Sequence, residues 1–341
     1  MQKPDLSQIP ADVQAYIAHL ESELERLTTA KSRLPAAEKA PAEPSEPPTT
    51  INIITMSRAG LIKRTPRHHY YRQRRSGMGV FDLESPENDP PSHLASADQS
   101  ETLLVITAQN RAYAIPVSDI EEKPVRGRGQ SSHDMIGVGA DVGIQTICTR
   151  HDSGYLAIVS ERGYVRLLRH NFVGENMRSG MVLFDVARFG KIVAAGWVFD
   201  ETEVFIGTKM GKGIRFAHKR THPNGSLGIR LDPNDVPVAI TGVNDDSGVF
   251  LLSHDGKGSV RLMEGFRSTK SPGAGGKVAL KTEHMVAAIH VTDEDDVFCL
   301  SELGKLIRFQ AVEIPPKTGT VQGVNCMSLR ADACTTATIS R

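Results

Sequence analysis

The chain has 341 residues, 39% of them apolar, which is enough to bury the core of one large domain. Lysine plus arginine and aspartate plus glutamate total 40 each, and this zero net charge on its own argues against a nucleic-acid partner. Thirty glycines and nineteen prolines favour a turn-rich β fold over a helical bundle.

The cysteines and the N-terminus indicate the compartment. The four cysteines show no CxxC spacing and no histidine at zinc-site distance; they are Cys148, Cys299, Cys326 and Cys334. The N-terminus lacks the apolar core of a signal peptide, and no stretch approaches the ~20 apolar residues of a membrane span. We therefore expect a cytoplasmic protein without a structural metal or a cofactor.

Residues 1–34 differ from the rest of the chain. Apolar residues follow one another there at spacings of 4, 3, 4 and 3, which is a heptad seam: Val13, Ile17, Leu20, Leu24 and Leu27. The pattern predicts an α-helix that needs a partner, either its own domain or a second copy in a short coiled coil. Residues 35–49, rich in proline, alanine and glutamate, are typical of a semi-rigid linker.

From residue 50 the sequence repeats itself six times. In each unit a β-rich run ends in a small turn that is followed by alternating apolar and basic residues. The turn residues recur at intervals of 45 to 53 residues; they are Gly60, Asn110, Gly163, Gly211, Gly256 and Gly304. Such a period, with about four short strands per unit, is typical of a propeller-like ring. The sequence predicts an all-β domain over residues 50–332 and a C-terminal tail over 333–341.

The charges are segregated along these repeats. Residues 57–81 and 205–231 hold many bases and no acid, whereas acids cluster where repeats begin, as at Asp245, Asp246 and 293–296. Because repeats stack in register, we expect one basic band and one acidic band. A basic band fits sequence-independent contact with the phosphates of duplex DNA, and the scarcity of aromatic residues argues against single strands. The bases predicted to contact DNA are Lys63, Arg64, Arg67, Arg72, Arg166, Arg178, Lys209, Lys212, Arg215, Lys219, Arg220, Arg230, Lys257, Arg261, Arg267, Lys270, Lys277, Lys305 and Arg308.

The segment Gln73-Arg74-Arg75-Ser76-Gly77-Met78-Gly79 resembles the QRRGGKG-like box of the gyrase A C-terminal domain. The resemblance extends over about residues 50–330 and includes the related domain of topoisomerase IV. It implies a six-bladed β-pinwheel, duplex DNA bent around its basic rim, and a chiral wrap held by the box residues. Ser76 and Met78 stand where the family has a glycine and a base, so the box is imperfect.

The resemblance covers a non-catalytic part of the family. Only a helix and a linker precede the repeats, which leaves no room for the breakage domain with its catalytic tyrosine, and Tyr70 and Tyr71 fall in a blade loop. We therefore expect a stand-alone, non-enzymatic DNA-wrapping protein associated with the nucleoid and accessory to gyrase or DNA topology. Two alternatives remain open: a protein-interaction propeller for which DNA is irrelevant, and a non-catalytic component that joins gyrase subunits through the N-terminal helix.

Overall fold

A computed structural model describes residues 10–32, 46–269 and 271–341, and the chain divides into two compact units, 1–43 and 44–341. The first unit holds the helix Ala11–Ser32, which confirms the helix that the heptad pattern predicts. Val13 and Leu20 on its seam are 40% and 47% exposed. The side chains of Leu24 and Leu27 fall outside the described residues. Of the helices that the structure describes, none has the length and apolar content to cross a bilayer.

The second unit consists of six β-sheets, called blades 1 to 6 in chain order, and each is built on one antiparallel hairpin. The first hairpin strands are Ile51–Ser57, Thr102–Thr107, Tyr155–Ser160, Glu203–Thr208, Gly248–Ser253 and Asp296–Ser301. The second are Leu61–Pro66, Arg111–Pro116, Tyr164–Arg169, Lys212–Ala217, Lys257–Leu262 and Lys305–Gln310. All six turn residues have φ between 55° and 87°, a region that glycine and, among other residues, asparagine tolerate best. Asn110 thus replaces glycine without breaking the repeat.

A third strand in each blade lies on the inner side of the hairpin. These innermost strands are Pro91–Asp98, Ile144–Thr149, Ile192–Val198, Pro237–Val243, Met285–Val291 and Cys334–Ser340. Each one packs against the innermost strand of the next blade, and the last packs against the first, so the ring closes. This confirms the six-bladed pinwheel. The prediction of a tail over 333–341 is wrong, because Cys334–Ser340 pairs with the first hairpin strand of blade 6.

The outermost strand of every blade comes from the following repeat. In the order of the blades that they complete, these strands are Gln130–Ser131, Met181–Val182, Ser226–Leu227, Lys277–Val278, Val324–Asn325 with Pro316–Lys317, and Val80–Phe81. A 3₁₀ helix begins each connection to them: Arg67–His69, Val117–Asp119, His170–Val173, His218–Arg220, Met263–Gly265 and Ala311–Glu313. Two short helices, Ser132–Ile136 and Val186–Phe189, and a pair of strands, Leu83–Glu84 with Gly127–Arg128, complete the unit. Neighbouring blades are therefore joined by backbone hydrogen bonds as well as by apolar packing.

The ring closes at the seam between blades 6 and 1, where Val80–Phe81 pairs with Lys305 and Leu306. The side chain of Leu306 joins a buried cluster there with Tyr70 and Phe298. Residues far apart along the chain thus meet at one apolar contact.

Glu46, just before the first blade, seals this seam. Its carboxylate accepts hydrogen bonds of 2.9 Å from Arg67 Nε and from Arg308 Nη2. Arg308 is buried and its Nε also donates to Asp296 Oδ2 at 2.9 Å, while Arg67 donates to Ser340 Oγ at 2.8 Å. Burial alone would raise the pKa of Glu46, but the hydrogen bonds and charges of Arg308 and Arg67 lower it below its ordinary value of 4.5.

Replacing Glu46 by glutamine should lower the free energy of unfolding at pH 7 by about 1–3 kcal/mol, because two arginines lose a charged acceptor. A carboxylate whose pKa is lowered by folding stabilises the protein above its unfolded pKa, and that contribution disappears as pH falls through the folded pKa. The difference between Glu46→Gln and wild type should therefore shrink as pH falls below the ordinary pKa of 4.5 and vanish once Glu46 is protonated in the folded protein. Denaturant unfolding at a series of pH values measures it. Glu84→Gln, at an exposed ion pair with Arg126, is the control; an equal loss in both variants would contradict the role of Glu46.

Candidate nucleic-acid interface

Three arginines occupy the same position of the second hairpin strand, four residues after the turn, in blades 1, 4 and 6: Arg64, Arg215 and Arg308. Each donates to a backbone carbonyl at the 3₁₀ turn of the next repeat. Arg64 Nε bonds Ile120 O at 2.7 Å, Arg215 Nη1 bonds Met263 O at 3.0 Å, and Arg308 Nη1 bonds Tyr70 O at 2.8 Å. Because all three are buried, they join blade to blade inside the protein.

The same side chains are also paired with acids. Arg64 lies 2.7 Å from Glu122, Arg215 lies 2.8 Å from Asp245, and Arg308 pairs with Asp296. Their positive charge is therefore neutralised by carboxylates of the ring itself.

The structure corrects the prediction that these bases lie on an outer band. Five of the predicted DNA-contacting residues are buried: Lys63, Arg64, Arg215, Arg261 and Arg308. Lys63 has no exposed side-chain area, and its Nζ lies 2.7 Å from Asp82 Oδ1. Four others have carboxylate partners: Arg67 with Glu46, Arg72 with Asp296, Lys212 with Asp232, and Lys257 with Asp255.

The exposed bases gather in the connections that carry the outermost strands. We call these connections the outer segments; they are 70–81, 120–131, 174–182, 221–230, 266–281 and 314–330. Since each contains the outermost strand of the preceding blade, the outer segments lie at the edge of the sheets opposite the innermost strands. The exposed bases on them include Arg74, Arg178, Arg230, Arg267 and Lys277, and Lys219 and Arg220 are exposed at the turn before 221–230. Lys270 falls outside the described residues.

Four of the six outer segments contain no aspartate or glutamate: 221–230, 266–281, 314–330 and 70–81. They edge blades 3, 4, 5 and 6, which are consecutive in the ring. We call this continuous stretch of rim the basic arc. It includes three exposed bases that the predicted set omits, Lys281, Lys317 and Arg330. The absence of acid in residues 314–330 was the sequence signal for the last two.

The edges of blades 1 and 2 differ from the basic arc. Segment 120–131 carries Glu121 and Glu122, and Glu121 pairs with Lys123. Segment 174–182 carries Glu175 beside Arg178. Negative charge on these two edges reduces their attraction for phosphate, so the rim is electrostatically uneven.

The box residues lie at the seam, against the last repeat. The backbone N–H of Arg75 donates to Glu313 Oε2 at 2.9 Å, and its guanidinium donates to Glu313 O at 3.0 Å and to Asn325 O at 3.1 Å. The Ser76 hydroxyl donates to Asn325 O at 2.8 Å. Arg74 and Met78, by contrast, are exposed. Within the box, Arg75 thus holds the first repeat to the last through hydrogen bonds, and Arg74 is the base that faces solvent.

Two backbone positions let the box approach blade 6 closely. Gly79 has a φ of 71°, and a Cβ there would lie 2.7 Å from Leu306 O. Ser76 has a φ of 68°, which glycine adopts without strain, so the serine is strained where the family's box has glycine. Its hydrogen bond to Asn325 offsets part of that cost.

The remaining predicted bases have intermediate exposure. Arg166 donates to Leu183 O at 2.6 Å and to Pro223 O at 3.1 Å. Lys305 Nζ lies 5.4 Å from the centre of the Phe81 ring, and Lys209 is half-buried. In the described part of the chain no three His, Cys, Asp or Glu side chains are placed to hold a metal ion.

Comparison with known proteins agrees with this architecture. The family model described as "DNA gyrase C-terminal domain, beta-propeller" matches residues 52–85 and 295–333, the two stretches that meet at the seam. The DNA gyrase A protein of Chlamydia muridarum is 27% identical over 82% of this chain and 35% of its own length, and that of Staphylococcus aureus is 26% identical over 82% and 33%. The chain thus spans about a third of the length of the curated relatives it matches.

Solved structures give the same result for the fold. A DNA gyrase A C-terminal domain aligns with a TM-score of 0.76 at 19% identity, covering 85% of this chain and 99% of that one. The C-terminal domain of a DNA topoisomerase IV aligns with a TM-score of 0.59 at 15% identity, covering 85% and 93%. The resemblance to gyrase A C-terminal domains that the sequence indicates is confirmed.

Proposed function

We propose that this relative of the gyrase A C-terminal domain binds duplex DNA non-enzymatically and bends it along the basic arc. The observation that carries the proposal is the continuity of the arc: four consecutive outer segments carry exposed lysines and arginines and no aspartate or glutamate. A duplex backbone is a regular line of negative charge, so a curved track of bases matches it without reading its sequence.

The buried arginines support this function indirectly. Arg64, Arg215 and Arg308 join blade 1 to 2, blade 4 to 5 and blade 6 to 1, and so help to hold the exposed bases on a rigid curve. Bending a site of 20–30 base pairs costs on the order of 1–6 kcal/mol, so several blade edges must contact the DNA together. Arg267 and Lys277 edge blade 4 and Lys317 edges blade 5, and these successive contacts share that cost.

The box has two roles in this proposal. Arg74 contributes a phosphate contact at the blade 6 end of the arc. Arg75 holds the seam closed and so sets the path of the DNA where the wrap passes blade 6. The family association of the box with a chiral wrap suits this position, and the exposed Met78 removes one charge from it.

We also propose that the N-terminal helix pairs with a helix of a second copy. Val13 and Leu20 are exposed on the heptad seam, and an exposed apolar seam favours a coiled-coil partner. A dimer would carry two basic arcs and hold two DNA segments, in keeping with a role in DNA topology in the nucleoid. There are two alternatives. The helix joins the chain to gyrase subunits, or the ring is a scaffold that binds protein instead of DNA.

Neutralising two bases of the arc, Arg230→Gln with Arg267→Gln, should weaken binding to random-sequence duplex by about tenfold or more. Each lost phosphate contact should also reduce the slope of log affinity against log salt by about 0.9. The matched control is Arg128→Gln with Arg178→Gln, exposed bases on the edges of blades 1 and 2. Mobility shifts at several salt concentrations measure both quantities. Equal losses in the two pairs would contradict the arc, and no binding by wild type at low salt would favour the protein scaffold.

Replacing the box arginines should separate wrapping from affinity. Arg74→Ala with Arg75→Ala should reduce the supercoils trapped when a nicked circle is sealed more than it reduces affinity. Arg75→Ala alone should account for the loss of trapped supercoils, because it opens the seam, and Arg74→Ala alone should mainly lower affinity. Unchanged trapping in the double variant would show that the box has no part in the wrap.

Disrupting the helix seam should change the oligomeric state and leave the ring intact. Ile17→Asp should convert a dimer to a monomer in sedimentation equilibrium, and Ala18→Asp, one residue off the seam, should not. A wild type that is monomeric at all concentrations would refute pairing. Co-purification with gyrase subunits that is lost on deleting residues 1–34 would support the alternative assembly.

A further inference from the structure

Arg261 differs from the other buried bases of the ring. It lies on the second hairpin strand of blade 5 and is 6% exposed. Its Nε and Nη1 atoms are buried and have no hydrogen-bond partner among the residues that the structure describes, and, unlike Arg215 Nε, which lies 2.6 Å from Glu203 Oε2, they form no ion pair there. A buried guanidinium without a partner is costly, because water no longer solvates the charge and no acceptor replaces it.

The repeats provide an internal comparison. Lys63 in blade 1 and Arg166 in blade 3 lie on the same strand, on the face that Arg261 uses in blade 5. Lys63 Nζ donates to Pro124 O at 2.9 Å and to Val125 O at 2.8 Å, and Arg166 donates to Pro223 O and Leu183 O. Both thus bond a carbonyl in the outer segment of the next repeat, and Arg166 also bonds one in its own repeat. Arg261 faces the corresponding outer segment, 314–330, but its Nε and Nη1 form no such bond.

The surroundings of Arg261 are basic. Its Cζ lies 5.7 Å from the centre of the Phe266 ring, and Lys277 Nζ lies 6.0 Å from the same centre. Lys317 is the residue paired with Arg261 on the neighbouring strand, and adjacent strands lie about 4.8 Å apart. The acid nearest in sequence, Glu264, is exposed on the 3₁₀ turn that follows Arg261. Burial lowers the pKa of Arg261 with no opposing contribution from a carboxylate.

We propose that Arg261, Lys277 and Lys317 form a phosphate-binding pocket on the basic arc, with Phe266 as its apolar wall. Each of the two unpartnered N–H donors can give a charge-assisted hydrogen bond to a phosphate oxygen. The two exposed lysines neutralise the rest of the charge. Because Nε and Nη1 are covered in the free protein, side chains at this edge must shift when the anion enters.

The pocket rests on the proposed function insofar as its phosphate belongs to DNA, but the same chemistry accepts a free phosphate. If the phosphate belongs to DNA, the contact at Arg261 differs in kind from the contacts of the exposed bases. The exposed bases attract any polyanion, whereas the pocket gains by replacing the missing partner of Arg261. That pocket would fix where the duplex sits between blades 4 and 5.

The test compares Arg261→Met with Arg215→Met in the full chain. Methionine removes the charge and keeps most of the apolar stem at both buried positions. Arg215→Met should lower Tm by roughly 5 °C, because Arg215 bonds the Met263 carbonyl and pairs with Asp245. Arg261→Met should leave Tm unchanged or raise it, since an unpartnered charge is removed. Inorganic phosphate, compared with chloride at equal ionic strength, should raise Tm of the wild type and not of Arg261→Met.

Binding to random-sequence duplex supplies the second readout. Arg261→Met should lower affinity about tenfold and reduce the salt slope by about 1. A fall in Tm matching that of Arg215→Met, or equal stabilisation of wild type and Arg261→Met by phosphate, would overturn the pocket.

Two further outcomes separate the pocket from the proposed function. Salt-sensitive duplex binding that is identical in wild type and Arg261→Met would overturn the pocket and leave the proposed function standing. Phosphate stabilisation that needs Arg261, in a wild type that does not bind duplex, would support a free-phosphate site and overturn the proposed function.

Discussion

The exchange of the outermost strand between successive repeats is the constraint on which the rest of the structure depends. Because each repeat completes the preceding blade, the first repeat must complete the last, and Val80–Phe81 does so by pairing with blade 6. That single pairing turns a row of blades into a ring. It also brings the box, the end of the linker at Glu46 and the last strand to one seam.

The basic residues fall into two groups that differ in partners. The buried ones on the hairpin strands, such as Arg64 and Arg308, bond carbonyls of the next repeat and pair with carboxylates. Those on the outer segments, such as Arg230 and Arg267, are exposed. The buried bases stiffen the ring, and the exposed bases lie on its outer edge. Arg261 belongs to the first group by position, but its Nε and Nη1 have no partner among the described residues, which sets it apart.

The repeat, its turn residues and the family resemblance were all readable from the sequence, because each depends on local patterns. Asn110 illustrates this, since its tolerance of positive φ predicts the turn that the structure shows. The burial of Arg308 was not readable, because Glu46 lies 262 residues away and only ring closure brings the two together. The tail was misassigned for a related reason: Cys334–Ser340 becomes a strand only because the hairpin of blade 6 pairs with it. The basic arc was readable only in part. Its acid-free segments are visible in the sequence, but their positions on neighbouring blades depend on the exchange of the outermost strands.

The proposed binding mode places one duplex along several consecutive blade edges. The measurement that tests it most directly is affinity as a function of duplex length at fixed salt, with wild-type protein. Affinity should rise steadily from roughly 10 base pairs and reach a plateau at the length that spans the arc, with the salt slope rising in parallel. Equal affinity and equal salt slope for the shortest and longest duplexes would contradict it, because a single blade edge would then suffice.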